Sequence, residues 1–358
     1  MKQWLETRQV LDRLAELERA GMGAALATVV RVRGSAYRHE GAKMIVAADG
    51  SAVGNVSGGC LEADVREVAL QVIAAGVPAR REYCGGPDEI TAWDLGVGCE
   101  GVVDVLVERV LPASPNAAWS HARQCLADCV PFTLCTDLAT RARACVTPSD
   151  VAGVAGPDVI ARARSLITDG ASGIQTIGRS EVFVDVFVPP PALVIVSAGD
   201  DARQLARCAN DVGFRTIVVD RRQGLLSPDR FPAGVTLVEA RAEELSARMP
   251  GDAETYAVVM MHNYADDRAY VRALLTTDCA YIGMLGPRQR TERIVAELAA
   301  SGPVDESRIY GPVGLDIGTD GAEQVALAVV AEILAVRSGR TPTSLRERRR
   351  PIHAATGG

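Results

Sequence analysis

The stretch GNVSGGCLEADV, residues 54 to 65, sets two glycines directly before a cysteine and an acid two places after it. A helical pattern begins at the same point, so Cys60 stands where a helix starts. Free amides and the helix dipole favour negative charge there, and with it the thiolate form of a cysteine, whose pKa they lower. Thiolate sulfur is a soft donor, suited to a soft metal centre better than a hard carboxylate is. Gly58 and Gly59 let backbone amides approach an anionic group closely. Glu62 could hold a proton near the sulfur, or simply improve the charge at the helix start. Plainer readings stand beside each: a small packed cysteine, a tight strand-to-helix turn, an ordinary first helical turn.

Cys99 sits in a second glycine-rich turn, GVGCEG, and could face the same cleft. Arg38 and Lys43 flank the hairpin before Cys60, as cations for a phosphate or as solvated strand ends. No nearby His or Cys pair gives Cys60 and Cys99 zinc spacing. Cys125 and Cys129, four apart on a helix, read as one packed face.

A second set of residues lies at strand ends in the C-terminal half. VSAGDDA, residues 196 to 202, fills the first strand-to-helix turn, where G-x-G-x-x-G/A binds dinucleotides. Gly199 and Ala202 match; Ser197 replaces the first glycine, and Asp200 and Asp201 would repel a pyrophosphate. Asp220 ends the next strand, the usual place for a carboxylate that bonds a ribose hydroxyl. MMHNYADD supplies His262 and Asn263, as ligand contacts or helix caps, with Asp266 following; His262 and Asp266 are the catalytic candidates of an oxidoreductase reading. GMLGPRQR brings Gly286, Pro287 at a first helical position, Arg288 and Arg290 to a helix start suited to an anion. GPVGLDIG adds Gly314 and Asp316 before the last helix.

The elements that must position these residues are legible from periodicity. Trp4, Leu11, Leu14 and Leu17 form the buried stripe of an opening helix. AALATVVRVRG reads as a strand, and the next segment as a hairpin turning at Asp49-Gly50. A helix from Leu61 to Ala75 buries Val65, Val68, Ala69 and Val72 and stops at Gly76. VVDVLVERV is a strand, and VFVDVFV alternates like a half-buried one. Three prolines at 189 to 191 mark a boundary, after which short apolar strands alternate with helices. The expected architecture is α/β: a mixed α+β domain over residues 1–188, a proline linker at 189–191, and a Rossmann-like doubly wound parallel sheet over 192–340. A poorly ordered tail is expected over 341–358, containing RERRRP.

The 358 residues carry a net charge of -7, so a nucleic-acid role has no electrostatic footprint. No stretch of eighteen apolar residues occurs, so no membrane span is expected. Nine cysteines without a framework, and an N-terminus with no apolar signal core, point to a reducing, cytoplasmic setting.

Several motifs together resemble the xanthine dehydrogenase accessory factor (XdhC/CoxI) family across most of the chain. They are GSAYRHEGAKM at 34 to 44, Asp49-Gly50, SGGCLE at 57 to 62 and GVGCEGVVDVL at 96 to 106, then SAGD, MMHNY, YIGMLGPR and PVGLDIG in the second domain. Tyr37 stands where the family has proline, Ser57 and Ser197 where it has glycine, Glu100 for glycine or asparagine, and Asp200 for histidine. The resemblance implies a molybdenum-cofactor-binding chaperone with no turnover of its own, holding molybdopterin or its cytosine dinucleotide. It implies a cysteine desulfurase and a molybdenum hydroxylase client as partners, and a homodimer. An NAD(P)-dependent oxidoreductase and a plain interaction scaffold are the competing expectations.

Overall fold

The apolar stripe of the first helix, α1 (Lys2–Arg19), is buried as its spacing dictates, with Trp4, Leu11, Leu14 and Leu17 in one cluster. The computed structural model describes residues 2–34, 36–84, 101–110 and 116–347. They fall into two compact units, Met1–Pro189 and Pro190–Gly358.

In the first unit α1 leads to β1 (Ala24–Arg33), β2 (Lys43–Ala47), β3 (Ala52–Gly54), α2 (Glu62–Ala75), β4 (Ala79–Cys84) and β5 (Val102–Val110). The strands form an antiparallel sheet in the order β3-β2-β1-β5-β4. Gly50, at φ +82°, makes the expected turn between β2 and β3. Helix α2 buries Val65, Val68, Ala69 and Val72 and ends on left-handed Gly76.

Then α3 (Ala117–Asp128), β6 (Phe132–Asp137), β7 (Arg143–Val146), β8 (Val151–Gly153), α4 (Pro157–Asp169), β9 (Gly173–Ile177) and β10 (Ser180–Phe187) build a second sheet, ordered β8-β7-β6-β10-β9. Strand β10 is buried on both faces rather than one: Val182 and Val184 pack with α4, while Phe187 joins the cluster that includes α1.

The succession helix, three strands, helix, two strands thus occurs twice, with the same strand order each time. Register agrees as well. Thr28 lies opposite Lys43 as Thr136 lies opposite Arg143, and Leu26 opposite Glu108 as Leu134 opposite Asp185. Gly54 and Gly153 close β3 and β8 at φ +86° and +103°, where a Cβ would sit 2.3 Å from the carbonyl oxygen of Lys43 or Arg143.

Two buried ion pairs cross between the halves at register-equivalent places. Lys43 of β2 pairs with Asp185 of β10, and Arg143 of β7 with Glu108 of β5. Further bonds satisfy the remaining polar atoms: Lys43 donates to the Gly41 carbonyl at 2.8 Å, and Asp185 accepts from Gln3 and Ser172, each at 2.9 Å. The Arg143 guanidinium donates to Thr136 at 2.9 Å and lies over the Trp119 ring, 4.4 Å from its centroid.

The second unit contains β11 (Ala192–Val196), α5 (Asp200–Val212), β12 (Arg215–Asp220), β13 (Thr236–Glu239), a one-turn α6 (Leu245–Arg248), β14 (Thr255–Val259), α7 (Tyr264–Leu275), β15 (Tyr281–Met284), α8 (Arg288–Ala299), β16 (Ile309–Tyr310) and α9 (Ala322–Ser338). The sheet runs β13-β12-β11-β14-β15-β16 with every neighbouring pair parallel. This is the doubly wound order of a Rossmann domain, reversing between β11 and β14. Val194 and Val196 join a cluster with Tyr270, Leu274 and Ile294, and the alternate residues Leu193 and Ile195 are equally buried, so both sheet faces are covered. Of the tail expected beyond residue 340, the part to 347 is described and ends in a short 3-10 turn; residues 348–358 lie outside the described residues.

Candidate functional site

Seven residues, Asn55 to Leu61, connect β3 to α2, and the side chain that shapes this loop comes from the first turn of the helix. The Glu62 carboxylate turns back and accepts the amides of Val56 at 3.0 Å, Ser57 at 2.9 Å, Gly58 at 3.3 Å and Gly59 at 2.8 Å. The Ser57 hydroxyl also donates to it, and in turn accepts the Leu61 amide at 2.8 Å. The loop amides that the glycines offer to an anionic ligand are therefore filled by the protein's own carboxylate. Glu62 is the loop's organiser, not a passive helix-start charge, and Ser57 is fitted to it.

Burial acts to raise the Glu62 pKa, but the bonds from Ser57 and the surrounding amides outweigh it and bring the carboxyl down to about 2. A carboxyl lowered in the folded state contributes stability above its ordinary value near 4.5, and loses it as pH falls toward 2. Glu62→Ala should cost about 1 kcal/mol, screening by solvent included. Amide hydrogen exchange would read it as lost protection at residues 56 to 59, whereas the native protein should hold that protection at any pH above about 5. Unchanged exchange in the variant would show that the loop holds its shape without Glu62.

Cys60 is exposed beside a small, mostly apolar pocket that Tyr37, Arg38, Tyr83 and Gly101 also line. A Cβ on Gly58, at φ +92°, would lie 2.4 Å from the Tyr37 ring, so the bare glycine is what lets that ring close over the loop. Gly59, at φ +125°, has nothing within 4 Å on its Cβ side and turns bare backbone to open space next to the thiol. Tyr83 is held by a hydrogen bond from its hydroxyl to Asp64. Arg38 makes a two-pronged ion pair with Glu6 of α1. It reaches the pocket wall with its charge already matched.

Lys43, expected near the same loop as a phosphate partner, is placed elsewhere. Its ammonium is buried in the pair with Asp185, because a lysine at the first position of β2 faces the second sheet. Cys99 lies outside the described residues; Gly101, two places on, lines the Cys60 pocket.

Strand direction explains the gathering. β1, β3 and β4 run the same way, so their C-terminal ends share one edge of the sheet. The connections there, residues 34–42 and 55–61, are longer than their counterparts in the second half, 138–142 and 154–156. The first half alone grows this rim.

In the second unit Gly199 caps α5 in extended conformation, and its amide donates to the Ser197 hydroxyl at 3.1 Å. Asp220 is fully buried; its carboxylate accepts the Ala198 amide at 2.7 Å and is clasped by Arg222. That engages the acid a ribose would need. Asp200 and Asp201 occupy the first turn of α5, where a pyrophosphate would otherwise lie, and Asp200 is paired with Arg203 and Arg230.

His262 takes a left-handed backbone, φ +59°, with Nε2 3.3 Å from Asp201. Asn263 is the N-cap of α7, accepting from the amides of Ala265 and Asp266. Asp266 is paired by Arg221 through both its oxygens. Pro287 precedes α8 as its N-cap instead of opening it; Arg288 is exposed in the first turn, and Gly286 sits at φ +131°. Arg290 is paired with buried Asp267, an acid that no sequence motif singles out. The Gly314 amide donates to Glu332 of α9 at 3.0 Å, and Asp316 is exposed.

Residues 193–333 match the family described as XdhC Rossmann domain, and residues 17–84 the XdhC and CoxI family. A Bacillus subtilis (strain 168) protein, named as one of the subunits of a probable xanthine dehydrogenase, is 32% identical over 324 residues, 88% of this chain and 93% of that protein. The Escherichia coli (strain K12) protein named molybdenum cofactor insertion chaperone PaoD is 27% identical over 334 residues, 92% of this chain and 88% of its own. A crystal structure from Bacillus halodurans, described as a xanthine dehydrogenase, aligns with a TM-score of 0.75 and 27% identity over 94% of this chain and 97% of that one.

Proposed function

The chain belongs to the XdhC and CoxI family, and on that premise we propose that it serves molybdenum cofactor insertion into a molybdenum hydroxylase. In this reading it binds the molybdopterin cofactor, as such or as the cytosine dinucleotide, shelters it while a cysteine desulfurase supplies sulfur, and delivers it to the client. It works as a chaperone in the cytoplasm, as a homodimer.

The observation that carries the reading is Cys60: an exposed thiol on a loop organised by Glu62, lining one pocket with Tyr37 and Tyr83. These residues fit the group. A soft sulfur suits the molybdenum end, and the rings of Tyr37 and Tyr83 suit a flat pterin. When bound, the cofactor supplies the molybdenum–sulfur centre on which a client hydroxylase depends. What the chain's own residues do is hold, orient and shield. Gly58 lets Tyr37 close over the loop, Asp64 fixes Tyr83, and Glu62 occupies the loop amides so that the thiol is presented outward.

A nicotinamide oxidoreductase would use Asp220 for ribose and His262 with Asp266 for proton transfer. Asp220 and Asp266 are both engaged by arginines, which favours the chaperone reading. The test is mass spectrometry of small molecules released from protein purified from its own host. Molybdopterin in one of its forms is expected; its absence in every form would remove the reading, and bound NAD(P) in its place would restore the alternative.

A further inference from the structure

Away from the Cys60 rim, we propose that His121, Cys125 and Cys145 form a site for a soft divalent cation of the zinc class, where α3 packs on β7. Their ligand atoms lie within 4.8 Å of one another. His121 and Cys125 are one helical turn apart on α3 and so share a face; Cys145 reaches them from β7. Tetrahedral zinc holds sulfur at ~2.3 Å and imidazole nitrogen at ~2.0 Å, which separates ligand atoms by about 3.5 Å. Closing the cluster from within 4.8 Å to that size is what binding would require of the three side chains.

Three further observations point the same way. Nε2 of His121 is buried and has no hydrogen-bond partner, a cost that an ion would relieve. The Asp150 carboxylate stands 3.7 Å from that nitrogen, on the exposed side, where a fourth ligand would enter. And the set is no by-product of the repeated architecture: the position equivalent to Cys145 by strand register is Ile45 in the first half.

Charge also balances. Two thiolates and a neutral imidazole cancel a dication, so the ion brings no uncompensated charge to a place where Cys125 and Cys145 are buried. Without an ion both are free cysteines. Uptake therefore forms two metal–sulfur bonds and releases two protons to solvent. The bound ion would tie the helix that opens the second half to its sheet.

Cobalt(II) added to the reduced, chelator-stripped full-length protein tests the proposal. One equivalent should give a thiolate-to-cobalt charge-transfer band with tetrahedral visible bands, displaced by zinc. Cys125→Ser with Cys145→Ser should abolish them, and Cys208→Ser should leave them. Thiolate bands that survive the double change, or their absence in the unaltered protein, would overturn the site. His121→Ala alters a half-exposed residue and serves even if the double variant does not fold. Its cobalt affinity should fall more than about tenfold, and an unchanged affinity would also defeat the proposal.

Discussion

Lys43→Met is expected to cost the first unit about 3–5 kcal/mol of folding stability. The change keeps most of the apolar stem and removes its charge, leaving the Asp185 carboxylate buried without its cation. Gln3 and Ser172 still donate to that carboxylate, but neutral donors do not repay the transfer of a full charge out of water. The companion change Asp185→Leu should recover most of the loss, since replacing a buried pair by apolar groups is often neutral. Arg143→Met should behave in the same way through Glu108. All three tryptophans of the sequence precede residue 190, and Trp4 and Trp119 are buried in the first unit, so denaturation followed by tryptophan emission reports on that unit. A loss below about 1 kcal/mol would mean that Asp185 is effectively hydrated.

Cys60→Ser should separate function from fold. The loop is held through Glu62 and Ser57, neither of which uses the thiol for the bonds described, and Cys60 is exposed. Stability is therefore expected to stay within about 0.5 kcal/mol of the unaltered protein. Cofactor retention should fall at least about tenfold, because a hydroxyl oxygen is a hard replacement for a soft sulfur. Pterin content of the purified protein and activation of a client hydroxylase give two readouts. Equal retention by both proteins would take the thiol out of the mechanism while leaving the family role untouched.

What can be read from the residues is what depends on neighbours in sequence. Asp49-Gly50 fixes its own hairpin, the α2 stripe and Gly76 fix that helix, and strand–helix alternation after the prolines gives the parallel sheet. Two of the misreadings share one cause, a partner far along the chain. Lys43 looks like a solvated strand end until Asp185, 142 residues away, comes to meet it. Arg38 looks available until α1 brings Glu6 alongside. Glu62 is near in sequence to the amides it fills, yet its role needs positive φ at Gly58 and Gly59, which no periodicity reveals. Helical spacing groups Cys125 with Cys129, which instead takes the left-handed cap of α3. The pointer to the real neighbours of Cys125 is the His-x-x-x-Cys spacing from His121, with the third member hidden on a strand.

The crossed ion pairs have a consequence for how the first unit can be divided. Each half contributes one cation and one anion at matching positions, Lys43 with Glu108 and Arg143 with Asp185. Each half is therefore self-complementary, as the two faces of an isologous contact must be. Cut between the halves, either piece would expose a cation and an anion on a face that another copy of itself, or the severed piece, could cover and pair. One continuous polypeptide removes the need for two identical pieces. It leaves the core bound to symmetry while one rim alone is free to carry a thiol.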